Sequence, residues 1–369
     1  MDDRNAVVVG GGPAGLASAA ELQRAGFEVT VLEQADGVGW SWRNRYDRLR
    51  LNSSRPFAKL SGARYAKGTP MFPSRDEFVR YLESYAADNG LELRLGTRVE
   101  RLDRDGASWL LRTSNGDLRA NQVIIAAGYQ QHPFMPDWPG RERFGGRLLH
   151  SRDYRNADPF RDADVLVVGS GSSGMEIAYD LATSGAARVR LSVRTPPNIF
   201  IRTPPGPLFA RLLMKLEPRR ADRVVSFIRR RELGDLTEYG LPEPEEGVFS
   251  RLLRLGVAPA IIDKDVIEAI KEGRIEIVAG VEALDATGVV LADGNRIEPE
   301  AVIAATGFRP GLESMLGHLG VLDERGMPRA AAETEAAPGL RFVGYVVRPA
   351  HIAYIGGEAR RTARAMALV

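Results

Sequence analysis

Two glycine-rich turns constrain this chain more than any other feature. Val165–Ala178 reads VLVVGSGSSGMEIA, and Val7–Ala19 reads VVVGGGPAGLASA. Each is an apolar run, then Gly-x-Gly-x-x-Gly, then a helix start rich in small residues. The glycines are Gly169, Gly171 and Gly174 in one and Gly10, Gly12 and Gly15 in the other. In this pattern the first glycine makes the tight turn, the second lets backbone N–H groups approach a pyrophosphate, and the third lets the helix lie close to its strand. The helix N-terminus adds partial positive charge. Two such turns imply two bound dinucleotides, with electrons passing between them.

Around the first turn, Asn5–Gly10, Ala14–Ala25 and Phe27–Leu32 read as strand, helix and strand. Glu33 follows, 23 residues after Gly10. A carboxylate there accepts hydrogen bonds from both ribose hydroxyls and repels a 2′-phosphate, so this site suits FAD or NAD rather than NADP. Counting the same 23 residues from Gly169 reaches Ser192, with Arg194 two residues on. A hydroxyl and a planar guanidinium fork suit a ribose 2′-phosphate. The second nucleotide is therefore expected to be NADPH.

The halves also echo each other downstream. Val99-Glu100-x-Leu102-Asp103 is repeated as Val281-Glu282-x-Leu284-Asp285, hairpin signals follow both, and buried runs lead to Gly128-Tyr129 and to Thr306-Gly307-Phe308. This predicts an α/β chain of two related three-layer nucleotide-binding domains, the second inserted in the first. The expected bounds are 1–155 with 298–369 for the first and 156–297 for the second. A helical insertion at about 197–259 has no counterpart in the first half. There Phe209, Leu212, Leu213 and Leu216 have helical spacing, and a basic helix follows Pro218; a cap over the substrate entrance is the expected role.

Composition removes several classes. No residue of the 369 is cysteine, which excludes disulfides, thiolate metal sites and an electron relay through a cysteine pair within this chain. The four histidines, 132, 150, 318 and 351, are scattered, so no metal site is expected. A net charge of +2 gives no argument for nucleic acid. No apolar run reaches the roughly 18 residues of a membrane span, and the sequence enters a strand at once, so a cytoplasmic protein is expected. Only five of the 50 basic residues are Lys, a composition that suggests a GC-rich bacterial genome. Ser74–Ala87 reads as an amphipathic helix, residues 36–60 as a long irregular functional segment, and Gly356-Gly357-Glu358-Ala359 as the opening of a helix aimed at the flavin.

Between the halves lies Phe144-x-Gly146-x-x-x-His150-x-x-x-Tyr154. With both glycine-rich turns and Ala305-Thr306-Gly307-Phe308, the chain resembles the class B flavin-dependent monooxygenases, and among them the flavin-containing monooxygenases. Gly234-Asp235, Tyr239-Gly240-Leu241, Asp263, Ile270-Lys271-x-Gly273 and Gly339-Leu340 are similar to the YUCCA-type indole-3-pyruvate monooxygenases and their bacterial relatives. There are departures. Gly39-Trp40-Ser41-Trp42 has one glycine where the family usually has two. The fingerprint ends in Tyr154 rather than the Trp typical of Baeyer–Villiger enzymes. Leu51-Asn52-Ser53-Ser54 resembles the stretch of N- and S-oxygenating members.

The resemblance implies an FAD domain with an NADPH domain inserted in it. NADPH reduces FAD, O2 adds at C4a to give a (hydro)peroxyflavin, and NADP⁺ stays bound to shield it. A small molecule is then oxygenated, at nitrogen or sulfur or by oxidative decarboxylation of a 2-oxo acid such as indole-3-pyruvate. Asn52 is the expected catalytic group, its amide donating near C4a. The expected FAD set adds Pro13, Ala14, Gln34, Trp40, Trp42, Val99, Ala127, Gly128, Tyr129, Gly344 and His351 to the first turn and Glu33. The NADPH set adds Ser172 and Ser173 to the second turn, and Ala305, Thr306, Gly307 and Phe308 complete the cofactor-binding residues. His150 is read as a linker residue near the nicotinamide cofactor. The alternative is an NADPH-dependent flavoprotein reductase passing electrons to a protein acceptor. A homodimer is the default assembly.

Overall fold

The computed structural model describes residues 4–368. Residues 1–3 and 369, the extremities of the expected first domain, lie outside the described residues. The chain divides into two units. The first comprises the chain up to Asn44, Ser53–His132 and the chain from Phe308 onward; the second comprises Arg45–Asn52 and Pro133–Gly307.

The sheet of the first unit has five parallel strands in the order Leu340–Phe342, Gln122–Ile125, Asn5–Val9, Glu28–Leu32 and Glu92–Arg94. Its two central strands are apolar after their first residue, Ala6–Val9 and Val123–Ile125, because a parallel strand is covered on both faces. Val7, Val8 and Val9 are all buried. Helix α1 (Pro13–Arg24) starts with Pro in its first turn, where a missing N–H costs nothing. The segment 36–60 holds the short α2 (Trp40–Arg43) and a 3-10 turn at Arg55–Phe57, and is otherwise irregular. Helix α3 (Arg75–Asp88) begins at Ser74, where Ser74 and Glu77 form a capping box, and buries Phe78, Tyr81, Leu82 and Tyr85.

The second unit repeats the plan. Its parallel strands run Glu276–Ala279, Arg188–Val193, Asp164–Val168, Ala301–Ala304 and Arg147–His150. Helix α4 (Ser172–Thr183) follows the second glycine-rich turn. Each unit also carries a three-stranded antiparallel sheet, Val99–Asp105 with Ser108–Thr113 and Leu118–Ala120 in the first, and Val281–Leu284 with Val289–Leu291 and Arg296–Ile297 in the second.

The unit bounds differ from the expected ones for two reasons. Arg147–His150 pairs with Ala301–Ala304, which pairs with Asp164–Val168, so residues on both sides of the expected boundary share the second sheet. Tyr46 is buried in the second core, and Asp47 N donates to Arg155 O, which carries Arg45–Asn52 with the second unit.

A parallel pair, Ile199–Ile201 with Ala260–Ile262, brackets the insertion. Between them lie α5 (Gly206–Leu213), α6 (Pro218–Leu233) and α7 (Val248–Leu255), with a small core of Leu213, Ala221, Val225, Val248 and Phe249. Helix α8 (Lys264–Lys271) follows. The chain returns to the first unit through α9 (Glu313–Leu316) and α10 (His351–Ala367), which packs on α1. Helix α10 starts at His351, so the Gly356-Gly357 pair lies inside it rather than opening it. A Cβ on Gly356 would sit 3.4 Å from the Ser61 hydroxyl, an ordinary contact. Among the described residues no helix is long and apolar enough to cross a membrane.

Candidate cofactor and active site

The two glycine-rich turns close in the same way. Gly10 N donates to Leu32 O at 2.8 Å, and Gly169 N donates to Ser192 O at 3.0 Å. Gly10 and Gly169 have φ of +116° and +115°, and a Cβ there would meet the Ala126 and Ala305 carbonyl oxygens at 2.6 and 2.5 Å. A Cβ on Gly15 or Gly174 would lie 1.7 or 1.8 Å from the carbonyl oxygen of Gly10 or Gly169. On Gly12 or Gly171 it would meet nothing within 4 Å. The open second position is where a pyrophosphate has room. Helices α1 and α4 have glycine N-caps and no side-chain cap, unlike α3. Their first N–H groups are left for an anionic ligand. The donor set fits a dinucleotide in each unit.

The strand ends differ. Glu33 is buried; its Oε2 accepts the Gly11 N–H at 2.7 Å and its Oε1 the Ala35 N–H at 2.9 Å. Each oxygen keeps a lone pair for a ribose hydroxyl. In the second unit the expected position needs correction. Val168 pairs with Ser192 as Val9 pairs with Leu32, so Ser192 corresponds to Leu32 and Val193 to Glu33. The connection after Gly185 is one residue longer than that after Gly26, which defeats equal counting. Ser192 is buried and donates to Ala279 O at 2.8 Å. Arg194 is exposed, beside Gly280, and the loop residue Ser170 donates to the adjacent Thr195 O at 3.2 Å. Gly11 and Ser170 are turn residues that the sequence pattern leaves unassigned, since they occupy its variable positions.

Other expected residues of the first unit fall as follows. Gln34 is exposed, Trp40 is largely exposed, and Trp42 packs edge-on against Phe78 with ring centroids 4.7 Å apart. Val99 pairs with Thr113 at the start of the antiparallel sheet. Pro13 and Ala14 open α1. Gly344 has φ +91°, and a Cβ there would lie 2.7 Å from the Ala14 Cβ. Its N–H donates to the buried Glu358 Oε2 at 2.8 Å. Burial pushes the Glu358 carboxyl up to about 7. Ala127 and Gly128 follow the strand Gln122–Ile125, and Tyr129 meets the His351 ring edge-on at 5.9 Å. His351 Nδ1 is buried with no protein partner, and burial lowers the imidazole to about 4, so the ring is neutral at neutral pH. An orphaned nitrogen at the start of α10 fits a cofactor contact. Phe308 lies just beyond the second unit, at the return to the first.

The second unit accounts for the linker fingerprint. Arg152 N–H can only donate, so His150 Nδ1, 3.0 Å away, is an acceptor and His150 Nε2–H donates to Gly307 O at 3.0 Å. Burial lowers this imidazole. Tyr154 Oη donates to Asp180 Oδ2 on α4 at 2.7 Å, and Thr306 Oγ1 donates to Phe134 O. These residues tie the strand Arg147–His150 to the nucleotide helix and to the Ala305-Thr306-Gly307 turn.

Asn52 lies at the end of Arg45–Asn52 and is exposed. Arg202 Nη2 donates to its Oδ1 at 3.3 Å. Arg has no acceptor, so this contact fixes the amide, with Nδ2 3.5 Å from Ser172 Oγ at the start of α4. Ser172 Oγ also accepts Ile261 N at 2.9 Å, and Ser173 hydrogen-bonds Tyr46. Arg202 is buried between Glu176 on α4 and Asp263, whose Oδ2 is 2.9 Å away. Tyr46 Oη donates to Glu176 Oε2 at 2.6 Å. Burial raises the Glu176 carboxyl, against the pull of Arg202. Tyr46, Glu176 and Arg202 are distant in sequence, and no local pattern marks them as one network.

The family model described as pyridine nucleotide-disulphide oxidoreductase matches residues 7–205. Indole-3-pyruvate monooxygenase YUCCA1 of Oryza sativa subsp. japonica is 35% identical over 327 residues, 87% of this chain and 80% of that protein. The chain belongs to the YUCCA-type flavin monooxygenases. The probable indole-3-pyruvate monooxygenase YUCCA1 of Arabidopsis thaliana is 30% identical over 93% of this chain and 85% of its own. A flavin-containing monooxygenase from Stenotrophomonas maltophilia shares the fold, with TM-score 0.74 at 22% identity, covering 98% of this chain and 97% of that one. This flavin monooxygenase is an oxidoreductase whose cofactors are FAD and NADPH. It keeps the nucleotide-binding frame of the disulphide oxidoreductases with no cysteine in its sequence.

Proposed function

We propose that this flavin monooxygenase removes one carbon from an aromatic 2-oxo acid, using NADPH and O2. One 2-oxo acid, one O2, one NADPH and one proton give the shortened acid, CO2, water and NADP⁺. The observation that carries this reading is the 35% identity, across 87% of the chain, to a protein named for indole-3-pyruvate. Bound FAD supplies hydride acceptance and O2 activation. The first unit holds it: the N–H groups at Gly12 and the start of α1 take the pyrophosphate, Glu33 takes the ribose, and neutral His351 offers Nδ1 to the flavin. The second unit holds NADPH, with the start of α4 on the pyrophosphate and Arg194 on the 2′-phosphate. Asn52, its amide held by Arg202, is the polar group assigned to donate to the oxygen that is transferred.

A second reading is N- or S-oxygenation, which Leu51-Asn52-Ser53-Ser54 favours. The test is anaerobic reduction by NADPH against NADH, then mixing with O2 and indole-3-pyruvate. Faster reduction by NADPH, with CO2 released in proportion to NADPH consumed, is expected. Oxygen uptake with an amine or sulfide but no CO2 from 2-oxo acids selects the second reading. Reoxidation with no oxygenated product from any class restores the reductase.

A further inference from the structure

Exposed apolar side chains are concentrated in one part of the molecule. Of the 13 large apolar residues exposed among the described residues, nine lie between Leu208 and Val257. Helix α5 and the turn after it expose Leu208, Phe209, Arg211, Leu212, Lys215 and Leu216, so its outward face is Leu and Phe flanked by cations with no acid. Helix α6 continues the pattern with Arg219, Arg220, Arg223, Val224 and Phe227, the last 68% exposed. Over residues 206–233 there are eight basic and three acidic side chains. Among the described residues Arg211, Lys215, Arg220 and Arg223 make no ion pair, whereas Arg229 and Arg230 share Glu243.

A solvated helix face carries charged and small residues. Leu208 and Leu212, one turn apart on α5, and Leu216 in the turn after it leave apolar area in water without return. The combination of an apolar ridge with cations on its flanks is that of a helix lying in a lipid interface, where the apolar face enters the acyl boundary and Lys or Arg meets anionic headgroups. We propose that α5 and α6 form a peripheral docking surface for an anionic lipid bilayer. Leu208, Phe209, Leu212 and Phe227 insert, and Arg211, Lys215, Arg220 and Arg223 contact headgroup phosphates. This requires no membrane span, and it stands whether the substrate is a 2-oxo acid, an amine or a sulfide.

The test is co-sedimentation of the full, flavin-loaded chain with phosphatidylcholine vesicles, with and without phosphatidylglycerol. Binding to the anionic vesicles that weakens with salt is expected. Leu208→Ser with Leu212→Ser, and separately Arg211→Glu with Lys215→Glu, should each lower binding about tenfold or more. Flavin absorbance and vesicle-free NADPH oxidation should stay unchanged, which shows that the variants fold. Absence of binding to anionic vesicles at low salt overturns the proposal, as does binding that neither variant weakens. A concentration-dependent dimer that the Leu variant dissolves overturns it too, since a second copy is then the occupant.

Discussion

In the first unit the strand Glu28–Leu32 ends at Glu33, whose two oxygens take the Gly11 and Ala35 amides. In the second the strand Arg188–Val193 ends on apolar Val193 and passes to exposed Arg194. The glycines before these strand ends are the same because the same backbone collisions forbid a side chain there. The backbone of the two turns is therefore alike, and the units differ in one or two side chains at the strand end. The units differ also in their buried acids. Glu358 accepts a single backbone N–H, from Gly344, whereas Glu176 is held by Arg202 and Tyr46.

The largest expected effect separates those two acids. Glu358 is buried, and its carboxyl rises from the ordinary 4.5 to about 7. Between these values the folded chain holds a proton that the unfolded chain has lost, so stability falls as pH rises through that window, by about 3 kcal/mol in all. Glu358→Gln keeps an acceptor for the Gly344 N–H and has nothing to ionise. Urea unfolding at pH 5 and pH 8 should show a flatter profile for the variant and greater stability than the parent at pH 8. The same exchange at Glu176 should have the opposite sign. It removes the Glu176 carboxylate from the buried Arg202, a loss of about 3 kcal/mol for a broken buried pair. Equal responses at the two sites would erase the distinction.

The next effect exchanges the strand ends. Val193→Glu with Arg194→Gln gives the second turn the Glu-Gln sequence of the first. Preference for NADPH over NADH, read from the Kd of each by fluorescence, should fall about 100-fold, the loss of a charge-assisted phosphate contact plus repulsion by the new carboxylate. An unchanged ratio places 2′-phosphate recognition elsewhere.

Much of this was legible because it is local. Gly10 to Gly15 and Gly169 to Gly174 carry their reason within six residues each, and the hairpin signals after Val99 and Val281 marked the antiparallel pairing in each half. The capping box at Ser74 and Glu77 likewise marks the start of α3. What the sequence hid depends on contacts between distant segments. Nothing near Arg202 points to Glu176, Asp263 or Asn52, and nothing near Tyr46 shows that Arg45–Asn52 packs with the second core. The start of α10 was obscured by its glycines, which lie inside the helix rather than at its N-terminus. The residue that matches Glu33 is Val193 rather than Ser192, because spacing counted along a chain assumes equal turns and Gly185 opens a longer one than Gly26.

That one-residue difference makes the last and smallest prediction. Were Ser192 the ribose contact that equal counting implies, Ser192→Ala would weaken NADPH and leave NADH unchanged. In the structure its hydroxyl faces Ala279 O, 2.8 Å away and out of water. Removing it leaves the Ala279 carbonyl without that partner, a cost of about 1 kcal/mol in stability. The NADPH-to-NADH ratio should stay within a factor of about two of the parent, well under the 1.4 kcal/mol that a tenfold change requires. A selective loss of NADPH would return the contact to Ser192 and undo the register argument; unchanged selectivity with lower stability leaves Arg194 as the residue that separates the second site from the first.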